Sequence, residues 1–371
     1  MQFKWNKNCK EFTAYGGFAC DLIKTEGYKS CEECKFYDPY SEKILIIKLG
    51  AIGDVIRTTP ILTALRRKYE NPQIIWLVKE ESIDALKNNY LIDKIYIYNQ
   101  ETLLKLKYEK FDILYSLETD MPGTAIANEI KADKKYGFYL DEFGQPSAFN
   151  KEAEFIIEKA LSDYLNKNNR KTYQQYIFEA SHLPFTNEEP ILNLSEHQRF
   201  FASEFLHKNN LRKEDKILGI HIGGGGKRWP SKVWHKDEVL KFIRLLKDKY
   251  KVIIFSSTQE KEIQKELINN PEIKNYVYPN NPENSLGEFI AVANLCETIV
   301  TGDSMALHVS TALKKKTIAL FFCTPDWEIE TYGRVKKLVS PLLMKYFFTD
   351  QYHEDLVKSI TAEQVYSKLE Q

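Results

Sequence analysis

Residues 43–60 read Lys-Ile-Leu-Ile-Ile-Lys-Leu-Gly-Ala-Ile-Gly-Asp-Val-Ile-Arg-Thr-Thr-Pro, and this segment constrains the fold more than any other. The dense run of β-branched and leucine residues over 44–49 predicts a central parallel strand covered on both faces. Gly50 and Gly53 mark a tight turn into a helix, where backbone can come close to a ligand and free N–H groups face an anion. Asp54 then stands at the carboxyl end of the strand, where open α/β sheets bind their ligands. On these residues alone two readings stay open: a binding turn, or a plain βα turn whose aspartate caps the helix.

The same alternation continues along the chain. Strands are predicted at 73–78, 94–98, 111–116 and 135–138, with helices between them and a loop over 139–150. One long helical stretch is predicted over 151–182, and a linker over 184–190. The pattern restarts with a capping box at 195–198 and strands at 216–222, 251–256, 276–278, 298–301 and 317–322. A final helix begins at Thr361. The expected fold class is therefore α/β, with two Rossmann-like, doubly wound domains. A chain of 371 residues is too long for one ordinary core. The expected division is a Cys-rich lobe at 1–40, a first domain at 41–190, a second at 191–345, and a closing segment at 346–371.

Composition narrows the function. Lys plus Arg equals Asp plus Glu, 52 against 52, so no polyanion partner is called for and nucleic acid is not expected. No apolar run approaches the roughly 20 residues that span a bilayer, and the first residues lack the apolar core of a signal peptide. The expected location is the cytoplasm, which leaves room for peripheral contact with the inner membrane face. In such a reducing compartment Cys9, Cys20, Cys31 and Cys34 read as a structural zinc or iron site rather than disulfides. The two-residue spacing of Cys31 and Cys34 suits two thiolates on one tetrahedral ion, although Cys9 and Cys20 stand singly and unligated thiols or a redox pair are the alternatives. Four thiolates would close the coordination sphere, so no catalytic metal is expected there.

Three loops fall at carboxyl ends of predicted strands. The first holds Gly50, Gly53 and Asp54. The second is Gly223-Gly-Gly-Gly-Lys-Arg-Trp-Pro230, where low side-chain bulk at Gly223 and Gly224 precedes the cations Lys227 and Arg228, a suitable arrangement for a phosphate-bearing ligand. The alternative is a flexible surface loop with two solvated charges. The third, Thr301-Gly-Asp-Ser-Met-Ala-Leu-His308, enters a helix; Asp303 or Ser304 can cap it, and its free N–H groups suit a diphosphate. His308 lies one turn after Ser304 on the same face; without context it reads as a core histidine. Glu260 and Glu262 could accept hydrogen bonds from a ribose, or could simply favour a first helical turn.

Taken together, the three ordered motifs resemble glycosyltransferase family 9, the heptosyltransferases of lipopolysaccharide core assembly. The resemblance is carried by Ile46 to Pro60, by Lys227-Arg-Trp-Pro230 and by Val300-Thr-Gly-Asp-Ser-Met-Ala-Leu-His-Val309, and spans about residues 43 to 371. It implies the GT-B arrangement of two facing domains, with the final helix crossing back to the first. It also implies inverting transfer of a heptose from ADP-heptose, without a catalytic metal, to an oligosaccharide or, given the extra lobe, a protein. By the same resemblance Asp54 would be the general base and Lys227, assisted by Arg228, would meet the donor phosphates. Asp303 would hold sugar hydroxyls, with Ser304 beside the diphosphate and His308 one turn on. Met305 departs from the family's usual glycine. The competing readings are a non-catalytic sugar-nucleotide-binding module and a nicotinamide-dependent oxidoreductase. The opening turn lacks the Gly-x-Gly-x-x-Gly pattern that the latter needs.

Overall fold

The computed structural model describes residues 6–12, 20–224 and 226–371; the side chains of Asp21, Ile23, Lys24 and Lys227 lie outside that description. Two six-stranded sheets organise the chain. The first is built from β1 (Lys43–Ile47), β2 (Gln73–Val78), β3 (Lys94–Ile97), β4 (Lys110–Ser116), β5 (Lys131–Leu140) and β6 (Pro146–Ala148), in the order β3-β2-β1-β4-β5-β6. The second comprises β7 (Ile217–His221), β8 (Lys251–Phe255), β9 (Val277–Pro279), β10 (Thr298–Gly302), β11 (Lys316–Phe321) and β12 (Val335–Val339), in the order β12-β11-β10-β7-β8-β9. All pairings are parallel except β5 with β6. In each sheet the order reverses beside the first strand, β1 or β7, which places a ligand crevice at the carboxyl ends of those strands.

The central strands form where β-branched and leucine residues run together. Ile44, Leu45, Ile46 and Ile47 are fully buried, as β1 is covered on both faces. Pro60 sits at the first position of the helix Pro60–Lys68, where its missing N–H costs nothing, so the preceding helix ends at Thr58 and a second one begins. One apolar cluster runs from Ile44 and Val55 of the first domain to Ile290, Ile299 and Val309 of the second. The two domains therefore share a core rather than meeting only across water.

Several elements depart from expectation. The stretch 151–182 forms three helices, Lys151–Leu161, Asp163–Asn168 and Tyr173–Ala180, because Ser162 and Thr172 each accept a hydrogen bond from a backbone N–H and start a new helix. The expected loop at 139–150 contains β6, turned back through Gly144 at φ +72°. The final helix, Ala362–Glu370, does not cross to the first domain. It packs on the Lys236–Leu246 helix of the second, where Ala362 donates its N–H to Glu238 at 2.9 Å and Val365 joins that domain's core.

The Cys-rich lobe lies against the edge of the first domain, with Cys9 bridged to Pro39 and Lys94 reaching the Phe12 carbonyl at 3.1 Å. Cys9, Cys20, Cys31 and Cys34 line one small cavity of about 10 Å³. All four are free thiols, yet among the described residues no three ligating side chains stand in position to hold a metal. The thiols turn instead to backbone: Cys9 donates to Phe36 O, Cys20 donates to Glu11 O, and Cys31 accepts from Asn6 N.

Candidate active site

The carboxyl ends of β1, β7 and β10 face a cleft of about 640 Å³ between the domains, a volume suited to a small organic ligand. Ala51, Ile52, Gly53, Asp54 and Arg57 line it from the first domain, and Gly224, Arg228, Lys232, Asp303, Ser304, Met305 and His308 from the second.

Asp54 lies in the first turn of the helix Ile52–Thr58 without capping it; Ala51 holds the cap position. Its side chain is 35% exposed, enough for a ligand to reach. Arg57, one turn on and so on the same face, pairs with it at 2.8 Å and stacks on the Tyr173 ring at 3.7 Å. Burial alone would raise the Asp54 pKa, but the charges of Arg57 and Lys48 outweigh it and hold the carboxyl below its ordinary value. Asp54 is thus ionised and accessible at neutral pH.

The second-domain wall is arranged differently from expectation. Lys232, which no sequence pattern singled out, pairs with Asp303 at 2.7 Å. Asp303 also accepts from the Thr324 hydroxyl at 2.8 Å. Burial opposes its ionisation, but Lys232 outweighs that and brings the carboxyl down to about 2. Arg228 is an exposed cleft residue beside Trp229, while the Lys227 side chain lies outside the described residues. Neither Asp303 nor Ser304 caps the following helix by its side chain. Ser304 occupies the cap position, but its hydroxyl turns to Thr301 at 3.1 Å and to Nδ1 of His221 at 3.3 Å. The N–H groups that open the helix Met305–Ala312 therefore keep their capacity for an anion.

Two predicted site glycines serve packing. A Cβ at Gly53 would lie 2.6 Å from Cδ2 of His308, so this glycine admits a helix of the other domain. Gly223 is wedged between the His221 ring and Oε2 of Glu260, both about 3.2 Å or less from where its Cβ would stand. His308 lines the cleft, and burial together with the Arg57 charge pushes it down to about 4, so the ring is neutral at pH 7. Glu260 spends Oε2 on a capping box, accepting from Ser257 N at 3.1 Å and from its hydroxyl. It also borders a second cavity, of about 360 Å³, with Ile222, Val233, Trp234 and Ile263.

Arg57, Lys232 and His221 belong to the site without standing among the residues that the sequence motifs single out. Only Arg57 carried a signal, its i,i+3 spacing from Asp54 on a helix.

Two Rossmann-like domains closed on a cleft, with an ionised carboxylate on one wall and a cation and a helix N-terminus on the other, form the GT-B arrangement expected of a glycosyltransferase. The chain belongs to glycosyltransferase family 9 (heptosyltransferase), whose profile matches residues 102–346. That match starts beyond the Asp54 segment. Lipopolysaccharide heptosyltransferase 1 of Campylobacter coli is 26% identical over 320 residues, covering 80% of this chain and 89% of the relative. The crystal structure of the family 9 glycosyl transferase from Veillonella parvula superposes with a TM-score of 0.67 at 20% identity, covering 89% of this chain and 97% of that one. The ADP-heptose lps heptosyltransferase II of E. coli does so with 0.65 at 19% identity, covering 88% and 97%. Among the described residues no helix is long and apolar enough to cross a membrane.

Proposed function

We propose that this enzyme is an inverting heptosyltransferase that moves a heptose from ADP-heptose to a hydroxyl of a lipopolysaccharide core oligosaccharide. The observation that carries this reading is Asp54, ionised and one-third exposed, on the cleft wall opposite Lys232, Asp303 and the Met305–Ala312 helix N-terminus. Relatives named for lipopolysaccharide heptosyl transfer support the sugar and the acceptor class.

In this reading the acceptor hydroxyl gives its proton to Asp54 as its oxygen attacks the anomeric carbon. The attack comes from the face opposite the diphosphate, which inverts the configuration. Charge developing on the departing ADP meets the helix N-terminus and Lys232, and Arg228 on the cleft wall adds to that compensation, as would Lys227 by the family resemblance. Asp303, fixed by Lys232 and Thr324, accepts from sugar hydroxyls. The adenosine enters the cavity beside Trp234 and Glu260, where the carboxylate can take a ribose hydroxyl. No step requires a metal. The four lobe cysteines would hold a structural zinc or iron, drawing in the sulfurs that already share one cavity.

The test is to incubate the protein with ADP-heptose and a truncated lipopolysaccharide core, and to follow ADP release and acceptor mass. A gain of one heptose per acceptor is expected. Donor binding without transfer to any core acceptor would make the protein a sugar-nucleotide-binding module instead.

A further inference from the structure

The first βα turn of a doubly wound domain is where a dinucleotide's pyrophosphate ordinarily lies, on the backbone N–H groups after the first strand. Here that place is filled from within. Glu118, two residues past the end of β4, is buried, and β4 runs beside β1 with Ser116 opposite Ile47. Its Oε2 accepts from Leu49 N at 3.1 Å and Gly50 N at 3.3 Å, and its Oε1 from Lys48 Nζ at 3.0 Å and Thr119 N at 3.3 Å.

The surroundings are built for that carboxylate. Lys48 is itself buried, 5% exposed, so the pair is screened from water. A Cβ at Gly123 would stand 2.5 Å from Cβ and Cγ of Glu118, so the helix Met121–Glu129 closes over this side chain only because residue 123 has none. From the other side Trp76 Nε1 donates to the Lys48 carbonyl at 3.1 Å. The strand end is therefore held on both flanks immediately before the turn that carries Asp54.

We propose that Glu118 is an internal substitute for a ligand phosphate. It pins the Lys48–Gly50 backbone, thereby positions Asp54 for proton abstraction, and leaves the donor's diphosphate only the second domain to bind. It offsets the Lys48 charge, which would otherwise act on Asp54 unopposed. Glu118 is thus a positioning residue; it touches no substrate. The positioning role rests on the reading of Asp54 as the base.

The test is anion rescue. Glu118→Ala removes the carboxylate but keeps Lys48 and the three backbone N–H groups, leaving a pocket that formate fits. A displaced base of this kind costs about 100-fold in kcat, and the donor KM, set by the second domain, should stay within about threefold. Sodium formate should restore a measurable part of kcat to Glu118→Ala, where sodium chloride at equal ionic strength does not. It should do nothing for wild type or Asp54→Asn. Glu118→Gln, which keeps the shape and one acceptor oxygen, should fall between the two and serves if the alanine variant folds poorly. Wild-type kcat in Glu118→Ala, a loss confined to donor KM, or formate that raises Tm without raising kcat would each overturn the proposal. Formate-dependent Tm of Glu118→Ala is read without turnover. An inactive wild type would thus sink the transferase reading alone, whereas absent formate stabilisation would sink this one.

Discussion

Gly53 and His308 meet across the domain boundary so closely that a methyl group on the former would stand 2.6 Å from the imidazole of the latter. The helix bearing Asp54 and the helix that opens at the donor wall are thereby set against each other without an intervening side chain. A glycine in a helix ordinarily costs about 1 kcal/mol relative to alanine, so Gly53→Ala would stabilise the helix if it were free. Here the clash should dominate, with a net loss of about 1–3 kcal/mol as the domains are wedged apart. Calorimetry of Gly53→Ala, His308→Ala and the double variant measures this, and the double variant should recover most of the loss. Additive effects would show that the two residues are not coupled.

Asp54→Asn should lower turnover by about 10²–10⁴-fold, the range expected when a general base is lost, while ADP-heptose still binds. Transfer assays paired with equilibrium dialysis of the donor separate the two quantities. Loss of donor binding would instead assign Asp54 to the architecture of the cleft.

The pH profile follows from the charges around Asp54. Because Arg57 and Lys48 depress its pKa, the base stays ionised well into acid, so kcat/KM should be flat from about pH 5 to 8, with its acid limb below the ordinary carboxylate range near 4. His308 titrates at about 4 and is neutral throughout that plateau. Replacing Arg57 by methionine removes the strongest opposing charge, raises the Asp54 pKa and moves the acid limb upward. An acid limb that stays in place in Arg57→Met would mean that the titrating group is not Asp54.

The parts legible in the sequence were those set by local pattern. Ile44 to Ile47, three β-branched residues and a leucine, favour a strand buried on both faces, and Gly50 to Asp54 follow at the strand end. The capping boxes at Ser195 and Thr361 were readable for the same reason. What stayed hidden depends on partners distant in sequence. Lys232 meets Asp303 only because β7 and β10 are neighbours, and nothing in Trp-Pro-Ser-Lys-Val-Trp distinguishes this lysine from a solvated one. Glu118 reaches residues about seventy positions earlier. The final helix was placed by resemblance, and its apolar face, Ala362 and Val365, found a nearer core in the second domain.

Lys232 and Asp303 form the ordered ion pair of the donor wall, each largely buried. A charge-assisted hydrogen bond is worth about 1.5–3 kcal/mol, so Lys232→Met should weaken ADP binding by about 10- to 100-fold, measured by calorimetric titration. The same variant tests linkage. Asp303 has a folded pKa of about 2 against an ordinary 3.8, so the stability it contributes is present above pH 4 and is lost as pH falls toward 2. The Tm difference between wild type and Lys232→Met should therefore be full at pH 7 and close as pH approaches 2. A difference independent of pH would assign the loss to packing rather than to the ion pair.

The cysteine lobe gives the last prediction. Cys9, Cys20, Cys31 and Cys34 line one small cavity, although they do not stand as a ligand set, and two of them donate to backbone carbonyls. Deprotonation would remove those donors and turn four sulfurs into ligands, so metal uptake, proton release and tightening of the lobe should occur together. Protein purified without chelator should carry a stoichiometric zinc or iron by elemental analysis, with the four thiols unreactive toward a thiol reagent until chelator is added. Cys31→Ser should lose the metal and lower Tm while leaving kcat for transfer near wild type, since the lobe lies away from the cleft. Metal-free protein with four reactive thiols would refute the site. Metal loss that abolished transfer outright would place the ion in the catalytic machinery instead.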